Sequence, residues 1–201
     1  ISMCSIDDDL IRKTLIRLFF TPCEDKYLPG LKRAYRDFNR TLTLKGVKQS
    51  VRDKKKAEIE KVLRDYLKEL IKKDLDQPGF DREHEKLCME LKNRWAELSI
   101  GQCQKWINMT LKYWVIFGEP DIPGINKNLR YFHIPIDGYI QNGPCKGLKA
   151  GRSHTPWSKI ETYEEYLEYQ HYYRKLNEGK IPLVEEFLFF NKTGESDFNP
   201  S

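Results

Sequence analysis

Lys105 and Asp137 are the residues in this sequence whose types and setting could do covalent chemistry. Lys105 lies near the start of an apolar stretch, Cys103-Gln104-Lys105-Trp106-Ile107-Asn108-Met109. A lysine among such neighbours is costly to bury unless it is paired or neutral, and a neutral lysine amine is a nucleophile. Asp137, in Phe132-His133-Ile134-Pro135-Ile136-Asp137-Gly138, could supply the partner carboxylate. His133 is a candidate general base if it faces Asp137 or a substrate. Each residue also has a plainer reading. Lys105, Asn108 and Lys112 are then surface or snorkelling residues of a core helix, Asp137 a helix N-cap after proline, and His133 a satisfied loop histidine.

A second kind of chemistry is phosphate binding. From Lys32 to Lys56 there are ten basic residues against Asp37 and Asp53, and Gln141 to Ile160 adds Lys146, Lys149, Arg152 and Lys159 with no acid. Net charge is only +5, so the asymmetry says more than the total. It fits a polyanion facing one side of the molecule, or equally a solvated basic face. Lys54, Lys55 and Lys56 are the densest cluster. Gly147-Leu148-Lys149-Ala150-Gly151-Arg152-Ser153-His154 could wrap a phosphate through backbone amides and charge, though it lacks the Gly-Lys-Ser/Thr end of a nucleotide loop. It reads as a nucleic-acid backbone contact through Lys149, Arg152 and His154, or as a surface loop.

Metal chemistry has weaker support. His133, Asp137, Cys145 and His154 are acceptable ligand types, but their spacing matches no compact zinc module, and the five cysteines contain no Cys-x-x-Cys pair. Neither a metal nor an organic cofactor is expected. A hydrolytic or nuclease site would need clustered carboxylates, and Glu185-Glu186 and Asp121 show no recognisable spacing. The tyrosines at 163, 166, 169, 172 and 173 could stack on unpaired bases, but at this spacing on a capped helix they read as the wet edge of a core.

The elements that must position these residues are helical. Apolar residues recur at three-and-four spacing over 6–20, 51–75 and 80–98, with a further helix from Leu31 to about Leu42. Pro29-Gly30 and Gln77-Pro78-Gly79 read as breaks between them. Residues 102–117 are apolar nearly all round and belong at the centre. Residues 118–130 and 142–154 read as loops, and 133–140 as a short strand or a turn into a short helix. Thr162-Tyr163-Glu164-Glu165 is a capping box that opens a helix to about Glu178, and Ile181-Pro182 opens a last one through Phe190.

The expected fold is therefore mainly α: a compact multi-helix domain over residues 3–190 around the central apolar helix, with little or no sheet and a disordered tail at 191–201. With 39% hydrophobic and 12% aromatic residues the chain can build a core, and no apolar run reaches the roughly 20 residues that span a bilayer. Ile1-Ser2 reads as a remnant before a start at Met3, with no signal-peptide profile after it. That, with unpaired cysteines, predicts a cytoplasmic protein with no membrane partner.

Leu98-Ser99-Ile100-Gly101, then Lys105, then Pro135-Ile136-Asp137 together resemble the helix-hairpin-helix DNA glycosylases. In that superfamily a glycine-containing hairpin precedes the catalytic helix, bifunctional members carry a lysine there, and an aspartate follows a proline-containing loop. The resemblance implies that Lys105 is a Schiff-base nucleophile, that Asp137 stabilises the sugar cation, and that hairpin amides at Gly101 and Gln102 grip a DNA phosphate. Two departures stand beside it: the hairpin has one glycine rather than two, and the interval from Lys105 to Asp137 is longer than the family's. Gln104-Lys105-Trp106-Ile107-Asn108-Met109, His-x-Pro-x-Asp and Pro156-Trp157-Ser158-Lys159 also resemble small bacterial proteins to which no function is attached. Two expectations follow: a helical DNA-binding protein acting as a base-excision glycosylase or lyase, or a non-enzymatic helical module that binds nucleic acid or a protein.

Overall fold

A computed structural model describes residues 7–43, 46–149 and 155–198, with only the backbone considered at Lys149 and at 193–198. Among the described residues it is all-α, with eight α-helices and no strand. They are α1 (Asp8–Phe19), α2 (Leu28–Phe38), α3 (Gln49–Leu70), α4 (Gln77–Arg94), α5 (Ile100–Phe117), α6 (Gly138–Asn142), α7 (Tyr163–Leu176) and α8 (Pro182–Phe198). No described helix is long and apolar enough to cross a membrane.

The apolar stretch 102–117 is the axis of the fold. All but three of the residues of α5 are buried, among them Trp106, Ile107, Leu111 and Trp114. Ser99 caps the helix by accepting from the Gln102 amide, while the Gln102 side chain accepts from the Ser99 amide, so the gap between the helices expected at 80–98 and 102–117 is the cap and first turn of α5. α2 packs antiparallel to α5: Gln102 donates to the Thr41 carbonyl, Trp106 Nε1 to that of Leu31, and Trp114 Nε1 to that of Tyr27. α4 and α7 cover the other side of α5 with Phe80, Leu87, Tyr166 and Tyr173. The tyrosines at 163, 166, 169 and 173 are core residues.

Two expected breaks are helix starts. Pro29 and Gly30 sit in the first turn of α2, and Gln77-Pro78-Gly79 forms the first turn of α4, where Asp76 caps the Gly79 amide at 2.8 Å. Proline is tolerated in a first turn because its missing N–H has no intrahelical partner there. α3 accordingly ends at Leu70 rather than 75. The expected loop at 142–149 is instead the end of α6 followed by a 3-10 turn, Pro144–Lys149. α8 runs past Asn191 to Phe198, since no proline interrupts it.

Residues 132–137 are extended without joining a sheet. Their backbone groups pair with side-chain amides instead. Gln170 accepts from Ile134 N–H at 3.1 Å and donates to Ile134 C=O at 2.8 Å; Gln104 does the same for Ile136, at 3.1 and 2.8 Å. Two buried glutamines thus act as strand partners at alternate residues, and they fix where Asp137 emerges. Replacing Gln104 by leucine keeps the volume but leaves Ile136 N–H and C=O unpaired. At about 1–3 kcal/mol for each buried orphan, we expect a loss of about 3 kcal/mol. Urea unfolding and hydrogen exchange at Ile136 would measure it; unchanged protection of that amide would refute the assignment.

Candidate functional site

The fold brings Lys105 and Asp137 together across 32 residues. Lys105 Nζ lies 2.7 Å from Asp137 Oδ2, with the lysine side chain 6% exposed and the aspartate 25%. Asp137 Oδ1 meanwhile accepts from Ile140 N–H at 3.0 Å, capping α6. The two readings of this residue therefore hold at once, one on each oxygen. Trp157 lies beside the ammonium, its ring centroid 6.0 Å from Nζ.

This pair lies in the wall of a groove of about 1050 Å³ between α2, α5, α6 and α8. Seven residues along α5, and therefore on the same face, Lys112 repeats the arrangement. Its Nζ is 2.7 and 2.6 Å from the two oxygens of Glu186, with the side chains 9% and 7% exposed. Its ammonium also lies about 5 Å from the rings of Phe187 and Phe190. Desolvating each ammonium costs several kcal/mol, which a carboxylate at contact distance offsets. A third carboxylate, Asp37 on α2, accepts from Tyr113 O–H at 2.6 Å and faces Arg33 at 3.6 Å. Burial raises its pKa above the ordinary carboxylate value, against the opposing pull of Tyr113 and Arg33. Arg36 and Arg40 stand exposed at the rim, with no hydrogen-bond or ion-pair partner among the described residues.

The other expected site residues lie elsewhere. His133 is fully buried in a separate polar network, not in the groove. Its Nε2 meets Asp81 Oδ1 and its Nδ1 meets the Tyr166 hydroxyl, each at 2.8 Å. Burial lowers its pKa despite Asp81, so it is a satisfied neutral histidine out of contact with Asp137. His84 completes the network. Its Nε2 is 2.9 Å from Asn108 Oδ1, Nδ1 is 3.0 Å from the Tyr163 hydroxyl, and burial holds its pKa well below the usual value. Asn108 on α5 in turn donates to Tyr166 and to Ile134 C=O.

Gly101 and Gln102 do not offer amides to a phosphate. Gly101 N–H donates to Ile160 C=O at 3.0 Å and Gln102 N–H to Ser99 Oγ at 3.0 Å, while Ser99 Oγ–H donates to Ser158 C=O. The turn at 157–160 closes the start of α5. Of the α3 lysines, Lys55 pairs with Glu97 at 3.0 Å and Lys56 with Glu60 at 3.1 Å, while Lys54 is exposed; none lines the groove. Arg152 and His154 lie outside the described residues, as does the side chain of Lys149. Among the described residues no three His, Cys, Asp or Glu side chains gather as a metal site would require. The groove residues that the sequence reading did not assign to the site are Arg36, Arg40, Trp157 and the Lys112–Glu186 pair; the basic run from residue 32 and the Glu185-Glu186 carboxylates were the available signals.

No family model, curated protein or solved structure matches this chain, so the likeness to glycosylases rests on its residues alone.

Proposed function

We propose that the groove binds nucleic acid and that Lys105 and Asp137 act there on an N-glycosidic bond. The observation that carries this reading is the ammonium–carboxylate contact of 2.7 Å in a groove walled by arginines and aromatic rings. Such a wall suits a nucleotide extruded from its stack. Lys105 passes a proton to Asp137, and the freed amine bonds to C1′. The electrons of the C1′–N bond leave with the base, which takes the proton held by Asp137, so that the carboxylate regains its charge beside the cationic amine–sugar adduct. Ring opening gives a protonated imine between Nζ and C1′, which water hydrolyses. None of these steps uses His133.

The test is borohydride trapping on duplex DNA carrying an abasic site. There the Lys105 amine condenses with the C1′ aldehyde, water leaves, and hydride reduces the C=N bond to a stable amine. The wild type is expected to give a covalent adduct and Lys105→Ala none, with helical content unchanged. An adduct of equal yield in the variant would sink the lysine assignment.

The Asp137 cap on α6 favours a second reading, in which the ion pair is structural and the groove only binds. No adduct with a salt-sensitive gel shift would support a nucleic-acid-binding module. Neither adduct nor shift would point to a protein partner.

A further inference from the structure

We infer that the groove takes an unpaired polynucleotide strand, laid along α5 and held at its rim by Arg36 and Arg40. This rests on the nucleic-acid reading above and names the form of the ligand.

Three observations carry it. The first is charge. Each groove carboxylate faces its own cation: Asp37 has Arg33, Asp137 has Lys105 and Glu186 has Lys112. Arg36 and Arg40 are the uncompensated charges that remain at the rim among the described residues. Arg36 lies in the last turn of α2 and Arg40 in the 3-10 turn that follows it, Asn39–Thr41, so the two follow one another along this side of the groove.

The second is the placement of aromatic rings. Tyr139 and Trp157 line the end of the groove at Lys105, and Phe187 and Phe190 line the end at Lys112. The two stations are about 10 Å apart, seven residues of α5. Tyr139 is 69% exposed, and Phe190, whose ring also meets the Lys112 ammonium, is 59% exposed. Unpaired bases stack on such faces, whereas a duplex keeps its base faces against one another and offers only phosphates at its surface.

The third is depth and size. Lys105 and Lys112 are recessed, each under 10% exposed, so only a group that enters the groove can reach them. At about 1050 Å³ the space stands at the upper end of the range for small-ligand sites, which is about 300–1000 Å³. Because α2 runs antiparallel to α5, Arg40 stands at the Lys105 end, near the Thr41–Gln102 contact. The strand's phosphates then pass Arg40 and Arg36 in turn while its bases drop toward the rings.

The experiment is fluorescence anisotropy of a labelled 12-residue oligothymidylate and of a 12-base-pair mixed-sequence duplex, across a salt series. The proteins are the wild type and an Arg36→Ala/Arg40→Ala double variant. The expected result is a wild type that binds the single strand at least tenfold more tightly than the duplex. The double variant should lose about tenfold for the single strand, and its slope of log affinity against log salt should be shallower by about 1.4, for two lost phosphate contacts. Equal or tighter binding of the duplex overturns this inference while leaving the nucleic-acid reading intact. Single-strand binding unchanged in the variant overturns the arginine track. Binding of neither probe overturns both readings.

Discussion

Replacing Gly101 by alanine is expected to destabilise the protein by about 3–5 kcal/mol, a large part of the 5–15 kcal/mol that holds a typical domain together. A Cβ at this position would lie 1.7 Å from the Trp157 carbonyl oxygen and 2.8 Å from its carbon. Both are backbone atoms, so no side-chain rotation relieves the clash, and the turn at 157–160 must move off the start of α5. That breaks the bonds from Gly101 N–H to Ile160 and from Ser99 Oγ–H to Ser158, worth about 1 kcal/mol each, on top of about 1–3 kcal/mol of overpacking. Trp157 would leave its place beside Lys105 as well. Thermal unfolding followed by circular dichroism should show a midpoint lower by about 10 °C, at roughly 2–4 °C per kcal/mol. Gly138→Ala is the control, since a Cβ there has nothing nearer than 4.0 Å. A Gly101→Ala variant within 1 kcal/mol of the wild type would mean that the close approach does not exist.

The second large effect is loss of stability on acidification. His84 and His133 are buried and neutral, and burial holds both pKa values below the ordinary 6.5. The unfolded chain therefore binds more protons than the folded one below pH 6.5, so stability falls as pH drops through that value and is level above it. Below pH 6.5 His84 lowers stability by at most about 1.4 kcal/mol per pH unit, for as long as burial keeps it neutral in the folded chain. His133 adds to this, less so because Asp81 at 2.8 Å favours its protonated form. Urea unfolding at pH 7.5, 6.0 and 5.0 would measure the slope, and His84→Gln should flatten it. Equal stability of the wild type at pH 7.5 and 5.0 would contradict the buried network.

The sequence by itself determined that the chain is helical and which helix is central. Residues 102–117 have too little polar surface to lie anywhere but the middle; the structure adds that Ser99 and Gln102 cap their start through local hydrogen bonds. Those signals act within one or two turns, so they can be read from neighbours in the chain. Proline was ambiguous for the same reason. Pro29 and Pro78 either break a helix or open one, and in α4 the cap supplied by Asp76 settles which. Lys105 was legible as a lysine in need of a partner, and Asp137 as a carboxylate that could serve. Only packing put them 2.7 Å apart, through Gln104, whose amide holds Ile136.

His133 shows the converse. It lies four residues from Asp137, yet the fold turns it towards Asp81 and Tyr166 and away from the groove. The basic run from 32 to 56 was visible as charge, but charge along a chain has no direction. Helix phase and packing sent Arg36 and Arg40 to the groove, and left Lys56 paired with Glu60 on α3 itself and Lys55 with Glu97 in the connection between α4 and α5. Periodicity and capping are local energies and are written in sequence; which faces meet is decided by burial across the whole molecule, and so is the site.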